Sequence, residues 1–257
     1  MAPSGPPRYT RCPKCGHQPL PREQALPAAC PACGVILAKV GQRVPRALRA
    51  APPVPGEWRS ALAERLLHVP ERIDAWRWWL QLLLLAGLAA WGWALIAADP
   101  RSGEIGASFL HGPLLIFHEA GHVIFGLFGE WIGVLGGTLM QLLMPALIVV
   151  VFLWRNHDPF GAAVGLWLFG VSLLDVAPYI YDARQPQLTL LNGSVGEAGG
   201  HDWITLLESM GMVSSAQFIG LAVHRLGVLV LLLALGWAGW LLRQQRRRIA
   251  AALLREG

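Results

Sequence analysis

Within a long apolar stretch the chain carries His118-Glu119-Ala120-Gly121-His122. Residues four apart lie on one face of an α-helix, so His118 and His122 can offer two imidazoles to one metal ion. Glu119 falls on the adjoining face, within reach of a water at that metal. Two histidine ligands with a glutamate as general base form a set suited to metal-assisted peptide hydrolysis. Gly121 costs helix stability but lets a partner segment approach closely. Three ionisable groups in one turn of an apolar run are expensive in a bilayer, and such groups mark function. At about 1.5 Å per residue, His118 lies about 14 Å below Phe109, near the middle of a ~30 Å hydrocarbon core. The competing readings are a buried polar cluster that pins helices together and a motif retained after loss of activity.

A catalytic zinc takes a third protein ligand and keeps one position open. Asp175 is the first candidate. It lies late in the apolar run Leu-Phe-Gly-Val-Ser-Leu-Leu-Asp175, with no Lys or Arg nearby, so its carboxylate needs a cation or a metal as partner. Hydrogen bonding to backbone freed by Pro178 is the alternative. Asp182, seven residues on, reads as a surface group or a support for a ligand. In Gly199-Gly200-His201-Asp202-Trp203, Asp202 reads as a helix N-cap. The sharper reading has His201 or Asp202 reach the metal, as third ligand, as a group that orients one, or as a stabiliser of a tetrahedral intermediate. His111, seven residues before His118, shares roughly its face, but Pro113 is expected to start the helix after it, which ranks it last.

All four cysteines, Cys12, Cys15, Cys30 and Cys33, lie near the N-terminus. Cys12-Pro-Lys-Cys15-Gly and Cys30-Pro-Ala-Cys33-Gly are two copies of one turn, with 14 residues between them. Each turn offers two thiolates to one ion, and the glycine lets the backbone fold beneath it. Two such turns make a closed four-sulfur site, which structural zinc prefers. Over about residues 10–37 the pattern resembles the zinc ribbon family. A module this short has too small a core to hold itself together without such a staple. A disulfide-bonded or metal-free tail is the alternative.

The elements that hold these groups read as membrane helices. Of 257 residues, 54% are hydrophobic and only 14% charged, against about 25% charged in an ordinary soluble domain. The net charge is +5. Most basic residues flank the apolar runs, which suits anchoring at an anionic surface and not nucleic acid. The start of the chain is rich in proline and polar groups and holds no apolar signal region, so the N-terminus is expected in the cytoplasm. The chain divides into a zinc ribbon (1–40), a Pro/Arg-rich linker and interfacial helix (41–75), a transmembrane metallopeptidase-like domain (76–248) and a C-terminal tail (249–257). Within 57–69, a helix packed on the protein is as consistent as one lying on the membrane. Candidate spans are 76–98, 109–128 with the His-Glu-His motif, 134–154 (its first half a possible re-entrant segment), 160–181, and one within 213–242. Residues 203–222 are a further short candidate. Both ends are basic, which favours an even number of crossings. The expected fold is therefore an all-α polytopic membrane protein with four to six spans and a small ribbon. His224-Arg225 marks an interface, and Arg246–Arg248 a membrane-surface anchor.

The motif at 118–122 in a span, the Gly-rich apolar segment Gly133–Pro145 and Asp175 in a later span resemble the site-2 protease family of intramembrane zinc metalloproteases. The resemblance covers about residues 109–182. It implies His118, His122 and Asp175 as zinc ligands, Glu119 as the base, and a transmembrane protein helix as substrate. With the ribbon this makes two Zn2+ sites, one catalytic in type and one structural, in an integral protein of the cell (inner) membrane with the ribbon in the cytoplasm. The partners are then the lipid bilayer, a membrane substrate and a cytosolic partner of the ribbon. Two readings compete: a non-catalytic zinc-binding membrane protein that uses its ribbon for partner binding, and a transporter whose His and Asp groups relay protons or metal ions.

Overall fold

A computed structural model describes residues 9–22, 24, 28–40, 57–70, 73–191, 193–196 and 200–256. The expected linker over 41–56 lies outside the described residues, as does Gly199. The chain forms two compact units, 1–58 and 59–257.

In the first unit, each cysteine turn closes on itself in the same way. Gly16 N–H donates to Cys12 O and Gly34 N–H to Cys30 O, both at 2.9 Å. Leu37 is fully buried beside Cys12 and Cys30, and Leu20 and Val35 pack against them. One antiparallel bridge, Ala29 to Ile36, joins the chain there, and no strand forms among the described residues.

The second unit is helical: α1 (Glu57–Leu67), α2 (Ala75–Ala97), α3 (His111–Phe125), α4 (Glu130–Trp154), α5 (Pro159–Asp182), α6 (Asp202–Ser209) and α7 (Ala216–Glu256). Four of them, α2, α4, α5 and α7, are long and apolar enough to cross a membrane. α3, which carries the His-Glu-His motif, is not among them. Its 15 residues reach about 22 Å, short of a ~30 Å core. The expected span over 109–128 is cut short by Gly126, which caps α3, and by Gly129, whose φ of +112° turns the chain into α4. α4 runs unbroken through Pro145, so its first half is helix and not a re-entrant loop. Residues 203–222 make no span; they are α6, a turn and the start of α7. The expected tail at 249–257 is helix through Glu256.

α5 is the centre. Two-thirds of its apolar window is buried, against 11% for α2. Asp158 accepts from Gly161 N–H at 3.0 Å as N-cap, with Pro159 in the first turn, both favoured start signals. Trp167, Val171 and Leu174 of α5 pack with Leu95 of α2, Leu114 of α3, and Leu231 and Ala234 of α7. α3 and α4 form a hairpin at backbone contact. A Cβ built on Gly121 would lie 2.1 Å from Gly136 O, so only glycine fits there. α1 is tied to neighbouring helices: Arg65 donates to Leu153 O at 3.2 Å, and Trp237 Nε1–H donates to Leu66 O at 2.9 Å.

Candidate metal centres and cleft

The Sγ atoms of Cys12, Cys15, Cys30 and Cys33 all lie within 4.8 Å of one another. Cys12 to Cys33 is 3.7 Å and Cys15 to Cys30 is 3.8 Å. Four sulfurs at ~2.3 Å from one ion in a tetrahedron stand about 3.8 Å apart, whereas a disulfide brings sulfurs to ~2.05 Å. The thiols do not ionise independently. Burial pushes the Cys12 thiol up, but the backbone N–H groups of Cys15 and Lys14 and neighbouring sulfurs outweigh it and bring it down to about 6. The backbone at His17 pulls Cys15 down, yet the Cys33 sulfur, burial and the other two sulfurs push it up to about 12. Charge on one sulfur opposes charge on the next unless a cation sits among them.

A second cluster forms where α3, α4, α5 and α6 meet. His118, His122 and Asp202 each offer one ligand atom within 4.8 Å of the others. His118 Nε2 is 2.9 Å and His122 Nε2 3.3 Å from Asp202 Oδ2. The other ring nitrogens are committed elsewhere. His122 Nδ1–H donates to Gly133 O at 2.9 Å. Gln141 Nε2–H donates to Asp175 Oδ2 at 2.8 Å, so its Oε1 is an acceptor, and His118 Nδ1–H donates to it at 3.0 Å. Both rings are thereby held with Nε2 facing one point, as ligating histidines are, and an ion there takes the place of the Nε2 protons that otherwise bond Asp202. Burial pushes the Asp202 carboxyl up, but hydrogen bonds from His118 and His122 outweigh it and hold it below the usual carboxylate range.

Gly137 of α4 backs this point. A Cβ there would lie 2.5 Å from His122 Nε2 and 2.6 Å from His118 Nε2. The missing side chain is what leaves room between the rings. Two imidazole Nε2 atoms, an ionised carboxylate and vacant space fit a metal ion with three N/O ligands.

The structure brings Asp202 and not Asp175 to the histidine pair. Asp175, the first candidate for third ligand, accepts from His111 Nδ1–H at 2.9 Å and from Gln141. Its partners are an imidazole on α3 and an amide on α4, and through Gln141 it steadies His118. Pro113 ranks His111 last in the sequence, but α3 begins at His111 itself, and proline is tolerated in a helix's first turn. Sequence reasoning misses Gln141; its signal is an amide in an apolar run, four residues after Gly137. His201, not Asp202, is the N-cap of α6: its Nδ1 accepts from Ile204 N–H at 3.4 Å. Its ring is buried, stacks on Tyr179 at 4.2 Å and has Nε2 3.4 Å from Asp182 Oδ2. Asp182 also accepts from Gln187 N–H at 2.8 Å. Tyr179 Oη accepts from Asp202 N–H at 2.9 Å. His201, Tyr179 and Asp182 thus anchor the start of α6, and Asp202, the first helical residue, is left to face the imidazoles.

A cavity of about 530 Å³ opens on this cluster. Glu119, exposed on α3, lines it together with His118, His122 and Asp202, and His111 lines it too. Leu115, Val176, Leu188, Leu190 and Leu191 make its apolar wall. The chain at 188–191 belongs to a small turn in which Leu190 N–H donates to Ser194 O and Thr189 bridges Val195. Comparison with protein-family models, with curated proteins and with solved structures finds no match to this chain.

Proposed function

We propose that the chain is a membrane-embedded zinc-dependent peptidase acting on membrane-associated peptide segments, with a second zinc held by its four cysteines. One observation carries the reading: the Nε2 atoms of His118 and His122 and Oδ2 of Asp202 converge on a space walled by Gly137, at the edge of a cavity that Glu119 also lines. Three N/O ligands with one position open are the catalytic pattern for zinc, and four sulfurs the structural one. When bound, the zinc supplies Lewis acidity for a carbonyl and for water. Glu119 is the carboxylate that takes the proton of the attacking water and returns it to the departing amine. Gln141 and Asp175 keep His118 in its ligating tautomer. The apolar wall receives substrate side chains and limits access of bulk water. Four helices able to cross a membrane and the resemblance to site-2 proteases support an intramembrane setting. The proposed location is the inner membrane, with the cysteine module in the cytoplasm. Purified protein is assayed on fluorescent casein in detergent micelles. Wild type should cleave, and Glu119→Gln should retain two zinc ions and lose cleavage. Equal activity of the two would overturn the assignment.

A further inference from the structure

A separate cavity lies at the other end of the helical unit. It is about 350 Å³ and is lined by Leu67, Val69, Trp240, Gln244, Arg247 and Arg248, with Ala251 at its end. On α7, positions 240, 244, 247, 248 and 251 share one face. The apolar run of α7 ends at Leu242, and Arg243, Arg246, Arg247 and Arg248 follow within two turns. The groove is therefore graded: Leu67, Val69 and Trp240 toward the apolar side, an amide and two guanidinium groups beyond. From Trp240 to Arg247 is about 11 Å along the helix, enough to run from the hydrocarbon edge into the headgroup layer of about 5–8 Å where lipid phosphates lie. Nearby, Trp78 Nε1–H donates to Leu242 O at 3.0 Å, an indole at the depth where aromatic residues mark the membrane interface.

Arg248 is preset. Its Nη1 donates to Val69 O and Pro70 O, which fixes the guanidinium against the segment after α1. A guanidinium carries five N–H donors in a planar fork, so Arg248 keeps donors for a second acceptor. Arg247 beside it is exposed. No acidic side chain lines the groove among the described residues. We propose that this groove binds one anionic phospholipid, its phosphate held by Arg247, Arg248 and Gln244 and its upper acyl chain against Trp240 and Leu67. The bound lipid joins α7 to the segment after α1. The site is independent of the peptidase assignment.

The test uses the full chain in detergent micelles, titrated with phosphatidylglycerol or phosphatidylcholine and read as bound lipid by native mass spectrometry. An arginine near an anionic surface contributes about 1 kcal/mol, or roughly fivefold in affinity. Wild type should bind one phosphatidylglycerol at least about fivefold more tightly than phosphatidylcholine, and Arg247→Gln should lose about that factor. Arg246→Gln, one residue outside the groove, should lose little. Both side chains are exposed, so folding is not at stake in either variant. Equal binding of the two lipids would overturn the site. So would equal losses from the two variants, which would mean diffuse surface attraction. Inorganic phosphate binding as tightly as the lipid would reassign the groove to a free anion.

Discussion

Replacing Gly137 with alanine adds one methyl group where the two imidazoles face each other. The added Cβ would stand 2.5 Å from His122 Nε2, 2.6 Å from His118 Nε2 and 2.7 Å from His122 Cε1. An ordinary contact begins near 3.4 Å, so the rings would have to give by about 0.7–0.9 Å, by subtraction from those distances. Metal–ligand distances tolerate only about ±0.2 Å, and both rings are tethered at Nδ1, to Gly133 O and Gln141. Neither can retreat without breaking its tether. Loss of a supporting hydrogen bond alone costs about 10–100-fold in metal affinity. Gly137→Ala should therefore weaken the site by at least about 100-fold, roughly 2.8 kcal/mol at about 1.4 kcal/mol per decade. The helix itself should gain, since alanine exceeds glycine by about 1 kcal/mol in helix propensity. The assay is zinc per chain under chelator competition, with the four-cysteine site as internal reference, beside circular dichroism. Zinc should fall from two per chain to one with helix content intact. Two ions per chain at wild-type affinity would refute the argument that this space holds the metal.

Other outcomes separate the roles assigned above. Asp202→Ala should remove one zinc per chain, whereas Asp175→Ala should lower affinity at that site by about 10–100-fold without abolishing it; the reverse order would make Asp175 the ligand. Gln141→Leu should match Asp175→Ala in metal titration, because both act through His118 Nδ1. Gly121→Val puts a side chain into the Gly136 carbonyl and should destabilise the α3–α4 hairpin by about 1–3 kcal/mol or more, seen as a lower thermal midpoint even in metal-free protein. Cys30→Ser should abolish the order of the cysteine module, leaving amide protection at Leu37 lost and the zinc count at one.

What is legible in the chain is local. The two histidines are four apart on one helix, and the two cysteine turns are near neighbours in sequence, so short-range geometry alone aligns their ligand atoms. The third member of the cluster is placed by tertiary structure. Depth in an apolar run points to Asp175, for which a cation or a metal is the expected partner. Its partners are His111, which pairs with it as an ion when protonated, and Gln141, groups from two other helices whose approach depends on the glycine seam between α3 and α4. Asp202 lies beyond the α5 end, where Gly200 has a positive φ, and spacing cannot say where such a loop returns. Helix lengths are legible for α2 and α5, which end at clear breakers. They are not for α3, since an apolar run continuing through Gly126 to Phe128 reads as one span, and the turn at Gly129 depends on its φ of +112°.

His118 and Asp202 are 84 positions apart, and α6 is packed through Ile204 and Leu207 against Ala183 and Ala216, with the Trp131–Ser209 hydrogen bond at 2.9 Å. An ion shared by the two residues is a cross-link that closes an 84-residue ring. In chain-entropy terms such a closure removes about 4–5 kcal/mol of freedom from the unfolded chain. A metal at this site would then act on more than reactivity: it would tighten the stretch from α4 to α6 into a ring, and a chelator would loosen that stretch as cutting a staple does.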